Sequence, residues 1–392
     1  MKAKHILLLL AQIATGIFLV GKDLSGESGY RMTLACMISR GTRLYTDVFD
    51  DHGPLMVHVI GWMYRLTGSC SMYLPQYVLF VLFCAALWLI VIYGKSVRTA
   101  IVLLATYALL WLSYGTLAVV SENWITAIVL IVFVLLHNHE RMPRILFWIL
   151  FIVVQLSLIL ENPVNIPCAF ILLTYFIFKR KYSTHTLLLA TIVPAFLFFV
   201  TTVSFPAYWK SVYLFNLNLV KPIQTIQAEY FLGLIKAIQA LFAGGAFWKD
   251  TIKFRAIFET SLLVTWIAVF ISVIRKKYRG IKLFVHILIP LSLFIRADSF
   301  HLVPFIFFLL AEITYELPMN KFTLAVFGYF LLLGARLSYY PSQVNIMNLY
   351  RGRAAYFTSV VRAQTKEDTG YCFFRRNPTC ILYRGGCPVL LK

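Results

Sequence analysis

Long blocks of apolar residues, each about 15–22 positions in length, follow one another along most of this chain. A helix of that length crosses the ~30 Å hydrocarbon core of a lipid bilayer. Strands of a membrane barrel would alternate apolar and polar positions, and these blocks do not alternate. The pattern therefore predicts an all-α integral membrane protein with about eleven transmembrane helices. The predicted spans are 6–20, 73–94, 98–113, 124–137, 144–160, 163–178, 186–205, 256–274, 281–295, 302–315 and 322–338.

The composition agrees with a membrane protein. Of the 392 residues, 60% are hydrophobic and only 13% are charged. A soluble all-helical protein could not hide so many apolar side chains, because its surface-to-volume ratio limits the size of its core. The net charge of +20 would suggest nucleic acid as the partner of a soluble protein. Here the placement of the charges indicates a membrane instead, and no nucleic-acid partner is predicted.

The basic residues fall mainly in every second connection between the predicted spans, which is the positive-inside pattern. The three short outer connections, 114–123, 161–163 and 296–301, contain Arg296 as their only basic residue. We therefore predict an N-terminus inside and a C-terminus outside. The inner connections hold Lys2, Lys4, Lys95, Arg98, Arg141, Arg144, Lys179, Arg180, Lys181, Arg275, Lys276, Lys277, Arg279, Lys282 and Lys321.

Three longer segments are predicted to lie outside: the first loop 21–72, the loop 206–255 and the tail 339–392. Residues 1–338 would then form one membrane module followed by a short external tail. Within the first loop, residues 55–66 are apolar but too short to span a bilayer, so they predict a juxtamembrane helix.

The first apolar block has two possible interpretations. Lys2 and Lys4 precede an apolar run, as in a secretory signal peptide. No convincing small-residue cleavage site precedes Gly21, so a retained first helix is the favoured prediction.

Five of the seven cysteines fall on the predicted outer side. A disulfide in the tail is possible there if the compartment is oxidising, and the cysteine spacing matches no zinc site. These cysteines are Cys36, Cys70, Cys372, Cys380 and Cys387.

The first loop is unusually rich in carboxylates. Of the sixteen acidic residues in the chain, five lie within 29 positions of this loop: Asp23, Glu27, Asp47, Asp50 and Asp51. Acids in an external loop can be simply solvated. A solvated loop would not need the aromatic residues and the rigid Gly-Pro turn that lie among these acids, so we predict a functional acidic cluster.

The order of residues in this loop resembles a known family signature. It reads Glu27-Ser-Gly-Tyr30 and then Gly41-Thr-Arg-Leu-Tyr-Thr-Asp-Val-Phe-Asp-Asp-His-Gly-Pro-Leu55. This is similar to the first loop of bacterial GT-C glycosyltransferases, membrane enzymes of the kind that includes protein mannosyltransferases. Their pattern places an acidic residue about fourteen positions before Gly-x-x-Pro-Tyr-x-Asp-x-Phe-Asp-His-Lys-Gly-Pro-Leu. Direct matches are Gly41, Tyr45, Asp47, Phe49, Asp50, Gly53, Pro54 and Leu55.

Three positions depart from the family pattern. Leu44 replaces a proline, Asp51-His52 replaces His-Lys, and Glu27 stands where the family usually has aspartate. Two shorter segments also resemble the family. Ser121-Glu122-Asn123 is similar to its Thr-Glu segment, and the stretch from Arg296 to Pro304 is similar to a late external segment.

The resemblance implies transfer of a sugar from a polyprenyl phosphate, such as undecaprenyl phosphate, to an acceptor hydroxyl. A hydroxyl is a poor nucleophile and needs a general base, for which Glu27 is the first candidate and Asp47 the second. Asp50 would orient the loop, bind a sugar hydroxyl or help to hold a metal. The leaving phosphate needs cations rather than a general acid. Candidates for holding it are Arg296, His301 and Arg43, and secondary site candidates are Glu122, His52 and Asp51.

Several of these residues also have ordinary structural interpretations. Arg296 would serve equally as an anchor at a helix end, His301 as an interfacial side chain, and Glu122 as a favourable charge at a helix N-terminus. A divalent cation (Mg²⁺, Mn²⁺ or Ca²⁺) bound by Asp47 and Asp50 is a further possibility, because carboxylate oxygens suit these ions.

The resemblance also implies a place in the cell and a set of partners. The enzyme would lie in a bacterial inner membrane with its active site at the periplasmic face. The acceptor would be a cell-envelope glycan, a lipid such as lipid A or lipopolysaccharide, or a protein.

Two other functions remain open. An O-antigen or capsule polymerase would also be multi-pass with a large late external loop, but it would depend on arginines in outer loops. A polyprenyl-linked glycan flippase or transporter would usually place charges mid-membrane and show paired broken helices, and the sequence shows neither clearly.

Overall fold

The fold is described from a computed structural model. It describes residues 3–19, 26–48, 50, 52–71, 73–114, 121–162, 165–214, 267, 269–293, 303–316, 381–384 and 387–390. The chain divides into two units, Met1–Gly334 and Ala335–Lys392.

The described part of the first unit consists of helices joined by short loops and turns. Its helices are α1 Ala3–Leu19, α2 Gly26–Ser39, α3 Leu55–Thr67, α4 Tyr73–Gly94, α5 Val97–Tyr114, α6 Ser121–Asn138, α7 Arg144–Leu160, α8 Ile166–Phe178, α9 Thr184–Thr202, α10 Phe205–Tyr208, α11 Ile281–Leu293 and α12 Val303–Glu316. A 3-10 turn at His139–Arg141 follows α6, a π-helical turn at Trp209–Leu214 follows α10, and residues 269–277 are also helical.

Nine of the eleven predicted spans coincide with one of these helices to within a few residues. Span 256–274 is described only at its end, and span 322–338 lies outside the described residues. Three described helices are long and apolar enough to cross a membrane: Tyr73–Gly94, the stretch Ser121–Arg141 and Thr184–Thr202. Five more are apolar but shorter, with 10–17 residues. The membrane character is thus supported, whereas the number of crossings stays a prediction.

Helix α6 forms the centre of the bundle. Its apolar window is 94% buried within the protein, and it packs against α4, α7 and α12. A helix that is apolar on all sides avoids water only by lying in a core or in lipid. Helix α9 is the opposite case, because only 17% of its window is buried. It exposes Ile192, Phe196 and Val200, a surface suited to lipid contact.

The connections between helices gather at two ends of the bundle. We call one the first-loop end: segment 41–54, Ser121, Glu161 and Tyr208, all in predicted outer connections. The other, the basic end, comprises Arg98, Lys277, Thr314 and Glu316. There the Arg98 guanidinium donates to the Thr314 carbonyl oxygen at 2.7 Å, and Lys277 pairs with Glu316 at 2.8 Å. This grouping is what consecutive antiparallel helices produce. Which end faces the outside of the cell stays a prediction of the charge pattern.

Helices α2 and α3 of the first loop pack against each other. The predicted juxtamembrane helix at 55–66 is confirmed as a helix by α3, which ends at Gly68 with a φ of +67°. A disulfide joins Cys36 of α2 to Cys70 just beyond α3. Disulfides persist in oxidising compartments, which agrees with the predicted external position of this loop.

The described residues of the second unit add one short hairpin to an otherwise helical chain. Strands β1 Ile381–Arg384 and β2 Cys387–Leu390 pair antiparallel, with Arg384 opposite Cys387. The two intervening residues are Gly385 and Gly386 in the sequence. Glycine pairs favour two-residue hairpins because both positions need a positive φ, so a strand signal was present in the tail.

Candidate functional site

The signature segment 41–54 is attached to the end of α7 through Glu161. The Gly53 backbone N–H donates to the Glu161 carbonyl oxygen at 2.8 Å. The Glu161 carboxylate accepts from the Met56 backbone N–H at 2.8 Å and from the Ser121 hydroxyl at 2.9 Å. One carboxylate thus joins the start of α3, the start of α6 and the end of α7. Glu161 is completely buried.

The segment itself is a compact turn organised by Tyr45. This residue has a φ of +66°, and its backbone N–H donates to the Val48 carbonyl oxygen at 2.7 Å. Its hydroxyl donates to the carbonyl oxygen of His52. The ring packs edge-on against Tyr208, with centroids 5.5 Å apart. Local hydrogen bonds to Val48 and His52 and ring packing on Tyr208 therefore hold Tyr45 in place.

Asp50 lies in a buried ion pair within this turn. Its Oδ2 accepts from Nη1 of Arg31 at 2.9 Å, and both side chains are fully buried. Its Oδ1 lies 3.3 Å from the backbone nitrogen and 3.3 Å from Nδ1 of His52. These contacts use both carboxylate oxygens and fix the loop to α2. Of the roles predicted for Asp50, this geometry corresponds to orienting the loop.

Asp47 is the more accessible carboxylate of the turn. It pairs with Arg43, whose Nη2 lies 3.2 Å from Oδ1, and its Oδ2 accepts from the Arg43 backbone N–H at 3.0 Å. The Arg43 side chain is 71% exposed. The Asp47 side chain is 19% exposed, so the exposed part of this pair is mainly the guanidinium, and a pair open to solvent on one side contributes about 1 kcal/mol or less to stability.

Burial controls the electrostatics of Glu161. Desolvation raises the pKa of its carboxyl from 4.5 to about 7, and the charges of Arg31 and His52 and the hydrogen bonds from Met56 and Ser121 oppose the shift. Burial also raises the pKa of the Tyr45 phenol, with Asp50 adding to the effect.

The structure places the predicted site residues as follows. Asp47, Asp50, Arg43 and His52 share the turn. Glu122 is buried in the first turn of α6, beside Ser121. Glu27 belongs to α2, one helical turn before Arg31, and nothing is described of its side chain. Asp51, Arg296 and His301 lie outside the described residues, so convergence of Arg296 and His301 with the first loop stays a prediction.

Two residues of this site, Arg31 and Glu161, were not predicted from the sequence. Arg31 had no assigned role. Its spacing of four positions from Glu27, which places both on one face of a helix, is the signal that the sequence offers. Glu161 was likewise not among the predicted site residues. Its significance depends on contacts with residues 40 and 105 positions away along the chain, and no local pattern encodes such contacts.

The predicted divalent cation at Asp47 and Asp50 stays a prediction. Their carboxylate oxygens contact Arg43, Arg31 and His52, so a cation would have to replace part of these ion pairs.

We expect Glu161→Gln to flatten the pH dependence of stability. The folded-state pKa of about 7 exceeds the ordinary value of 4.5, so the folded protein binds a proton that the unfolded chain has released. The contribution of Glu161 to stability is therefore fully present below pH 4.5 and is lost as pH rises to about 7, by on the order of 3 kcal/mol. Glutamine is neutral at every pH and retains an acceptor for Met56 and a donor for Ser121.

Unfolding temperatures in lipid nanodiscs between pH 4.5 and 8 test this expectation. The matched control is Glu140→Gln, because the Glu140 side chain is 68% exposed, and this variant should retain the wild-type slope. An unchanged slope in Glu161→Gln would show that other groups cause the pH dependence.

The first-loop end thus combines a carboxylate–guanidinium pair with an exposed guanidinium, a buried ion pair that holds the turn, and a buried carboxyl that attaches it to the bundle. A cavity of about 530 Å³ lies elsewhere, near the basic end, where its lining includes Lys4, Lys95 and Arg98. The chain matches no family model, no curated protein and no solved structure.

Proposed function

We propose that this protein is a glycosyltransferase that moves a sugar from a polyprenyl phosphate to a cell-envelope glycan, lipid or protein acceptor at the periplasmic face. One observation supports the proposal most strongly. The segment that resembles the GT-C signature is a fixed turn, held by Arg31 on one side and by Glu161 on the other. Preorganised charges are what an enzyme needs where charge develops in the transition state.

In this proposal Asp47 and Arg43 form the substrate-facing part of the turn. The acceptor hydroxyl loses its proton to a carboxylate as it attacks the anomeric carbon, and the bond from that carbon to the lipid phosphate oxygen breaks. The electron pair of that bond stays on the phosphate, which departs as a stable anion. Arg43 would bind this anion, because a guanidinium matches phosphate oxygens geometrically.

The buried residues have positioning roles. Asp50 and Glu161 do not touch the substrate in this mechanism. They hold the turn so that Asp47 and Arg43 keep a fixed separation, and fixed geometry removes much of the entropic barrier to reaction.

Glu27, Arg296 and His301 complete the proposed site. Glu27 and Asp47 are the two candidates for the general base, and Arg296 and His301 would hold the donor phosphate together with Arg43. A divalent cation is compatible with this scheme but not required by it.

The test is turnover by the purified protein in lipid nanodiscs with a panel of undecaprenyl-phosphate sugars, scored by release of undecaprenyl phosphate. Glu27→Gln or Asp47→Asn, whichever removes the base, should lower kcat by about 10²–10⁴-fold, the usual contribution of general base catalysis. The other variant should change turnover less. Glu140→Gln, an exposed carboxylate variant at the opposite end, should retain full activity.

The same variants separate the alternatives. If both variants, Glu27→Gln and Asp47→Asn, fold and turn over at the wild-type rate, the proposed mechanism is refuted. A flippase would move labelled polyprenyl-linked glycan across a vesicle membrane without releasing undecaprenyl phosphate. A polymerase would lengthen a glycan only when given the lipid-linked repeat unit.

A further inference from the structure

A second polar cluster lies towards the basic end, far along the helices from the signature segment. His137 is in the last turn of α6, His286 is in α11, and Glu312 is in α12. Their side chains are 4%, 0% and 0% exposed. Three separate stretches of chain therefore supply ionisable groups to one buried point.

Two imidazole nitrogens of this cluster converge on a single carboxylate oxygen. Nε2 of His137 lies 2.9 Å from Oε1 of Glu312, and Nδ1 of His286 lies 2.6 Å from the same atom. All three donor atoms lie within 4.8 Å of one another. The two imidazole rings are 5.0 Å apart at their centroids, at an angle of 72°.

Among the described residues, the Glu312 carboxylate has no lysine or arginine partner, and its basic neighbours are the two imidazoles. The neighbouring Glu316 is paired with Lys277 at 2.8 Å and accepts from the Tyr278 hydroxyl at 2.8 Å. Glu312 contacts only the two imidazoles and, at 3.5 Å, the Tyr278 hydroxyl within the described part of the chain. A buried carboxylate without a countercharge is strongly unfavourable. The cluster therefore needs a positive charge where the three donor atoms meet, either a proton on an imidazole or a bound cation.

We propose that His137, His286 and Glu312 bind one Zn²⁺ ion. Two imidazole nitrogens and one carboxylate oxygen form a donor set that zinc uses in proteins, with a fourth position left for water. Tetrahedral bonds of ~2.0–2.2 Å place ligand atoms about 3.3 Å apart. The present contacts of 2.6 and 2.9 Å thus need only a small expansion to admit the ion.

The surroundings of His137 also suit a metal ligand. Its other ring nitrogen, Nδ1, lies 3.5 Å from the Tyr278 hydroxyl and 3.9 Å from Oε1 of Glu316. Ligating histidines usually contact such an outer group, which sets the tautomer and the orientation of the ring. Bound zinc would join α6, α11 and α12 near the basic end. This role is independent of the chemistry proposed for the first-loop end.

The test begins with wild-type protein, purified without a histidine tag in nanodiscs and stripped with a chelator. After dialysis against ZnCl₂ alone, elemental analysis should find one Zn²⁺ per chain, with a Kd below about 1 µM. His286→Ala and Glu312→Gln should each weaken binding by at least about 100-fold. The matched control is His185→Ala, because His185 is exposed and lies outside the cluster; this variant should bind zinc as the wild type does.

A spectroscopic measurement on the wild-type protein tests the site independently of whether the variants fold. Stripped wild-type protein loaded with Co²⁺ should show the intense visible absorption of a four-coordinate site with nitrogen and oxygen ligands. Absence of zinc binding and of this spectrum would overturn the proposal and leave a protonated imidazole as the countercharge. Equal loss of zinc in His185→Ala would also overturn it, because the metal would then be adventitious.

Discussion

Replacing Arg31 by methionine is expected to lower the free energy of unfolding by about 3–5 kcal/mol, because it leaves the Asp50 carboxylate buried without its countercharge. The ion pair is 2.9 Å long and completely inaccessible to solvent. Methionine retains an apolar stem like that of arginine but lacks the guanidinium group, so part of the loss comes from the space that this group leaves. The remaining neighbour of the Asp50 carboxylate is Nδ1 of His52, which lies 3.3 Å from Oδ1. At this distance the imidazole does not replace the guanidinium. Equilibrium unfolding in mixed micelles measures the change.

The control for this experiment is Arg43→Met. It removes an arginine–aspartate pair from the same turn, but the guanidinium of that pair is 71% exposed to solvent, so the expected loss is below about 1 kcal/mol. A double variant, Arg31→Met with Asp50→Leu, should recover most of the stability because it removes both buried charges. Equal losses for Arg31→Met and Arg43→Met would show that the Asp50 pair does not hold the turn.

The second large effect is expected for Gly53→Ala. A Cβ atom at this position would lie 2.0 Å from the carbonyl oxygens of Leu160 and Glu161. Backbone atoms cannot rotate away as a side chain can, so the turn would have to lift from the end of α7. The move would also lengthen the hydrogen bond from Gly53 N–H to Glu161. Overpacking of this kind costs about 3 kcal/mol, and turnover should fall with it because Asp47 moves with the loop.

Gly68→Ala provides the matched control for a glycine in the first loop. Gly68 has a φ of +67° and nothing near its missing Cβ, so alanine there adds backbone strain of about 1–2 kcal/mol without a clash. Its turnover should stay near the wild-type value, since α3 can end slightly differently without moving the turn. Wild-type turnover in folded Gly53→Ala would contradict the claim that the attached turn is the catalytic element.

Most of the helices could be predicted from apolar block length alone. Lipid imposes this outcome, because every buried backbone group must be satisfied within its own helix. The short apolar block at 55–66 was correctly predicted as a helix, and its position beside the membrane stays a prediction. The tail hairpin was missed because a Gly-Gly pair between two short strands is a weak signal beside nine strong helical blocks.

The sequence by itself determined the membrane character, the helix positions and the presence of an acid-rich turn between Gly41 and Leu55. Tertiary structure alone decided which groups each buried acid contacts. Asp50 meets Arg31 from α2, Glu161 binds Met56 and Ser121, and Glu312 meets two histidines from other helices. The physical reason is that periodicity and propensity act over a few residues, whereas a buried charge is compensated by whichever groups packing brings within about 3 Å.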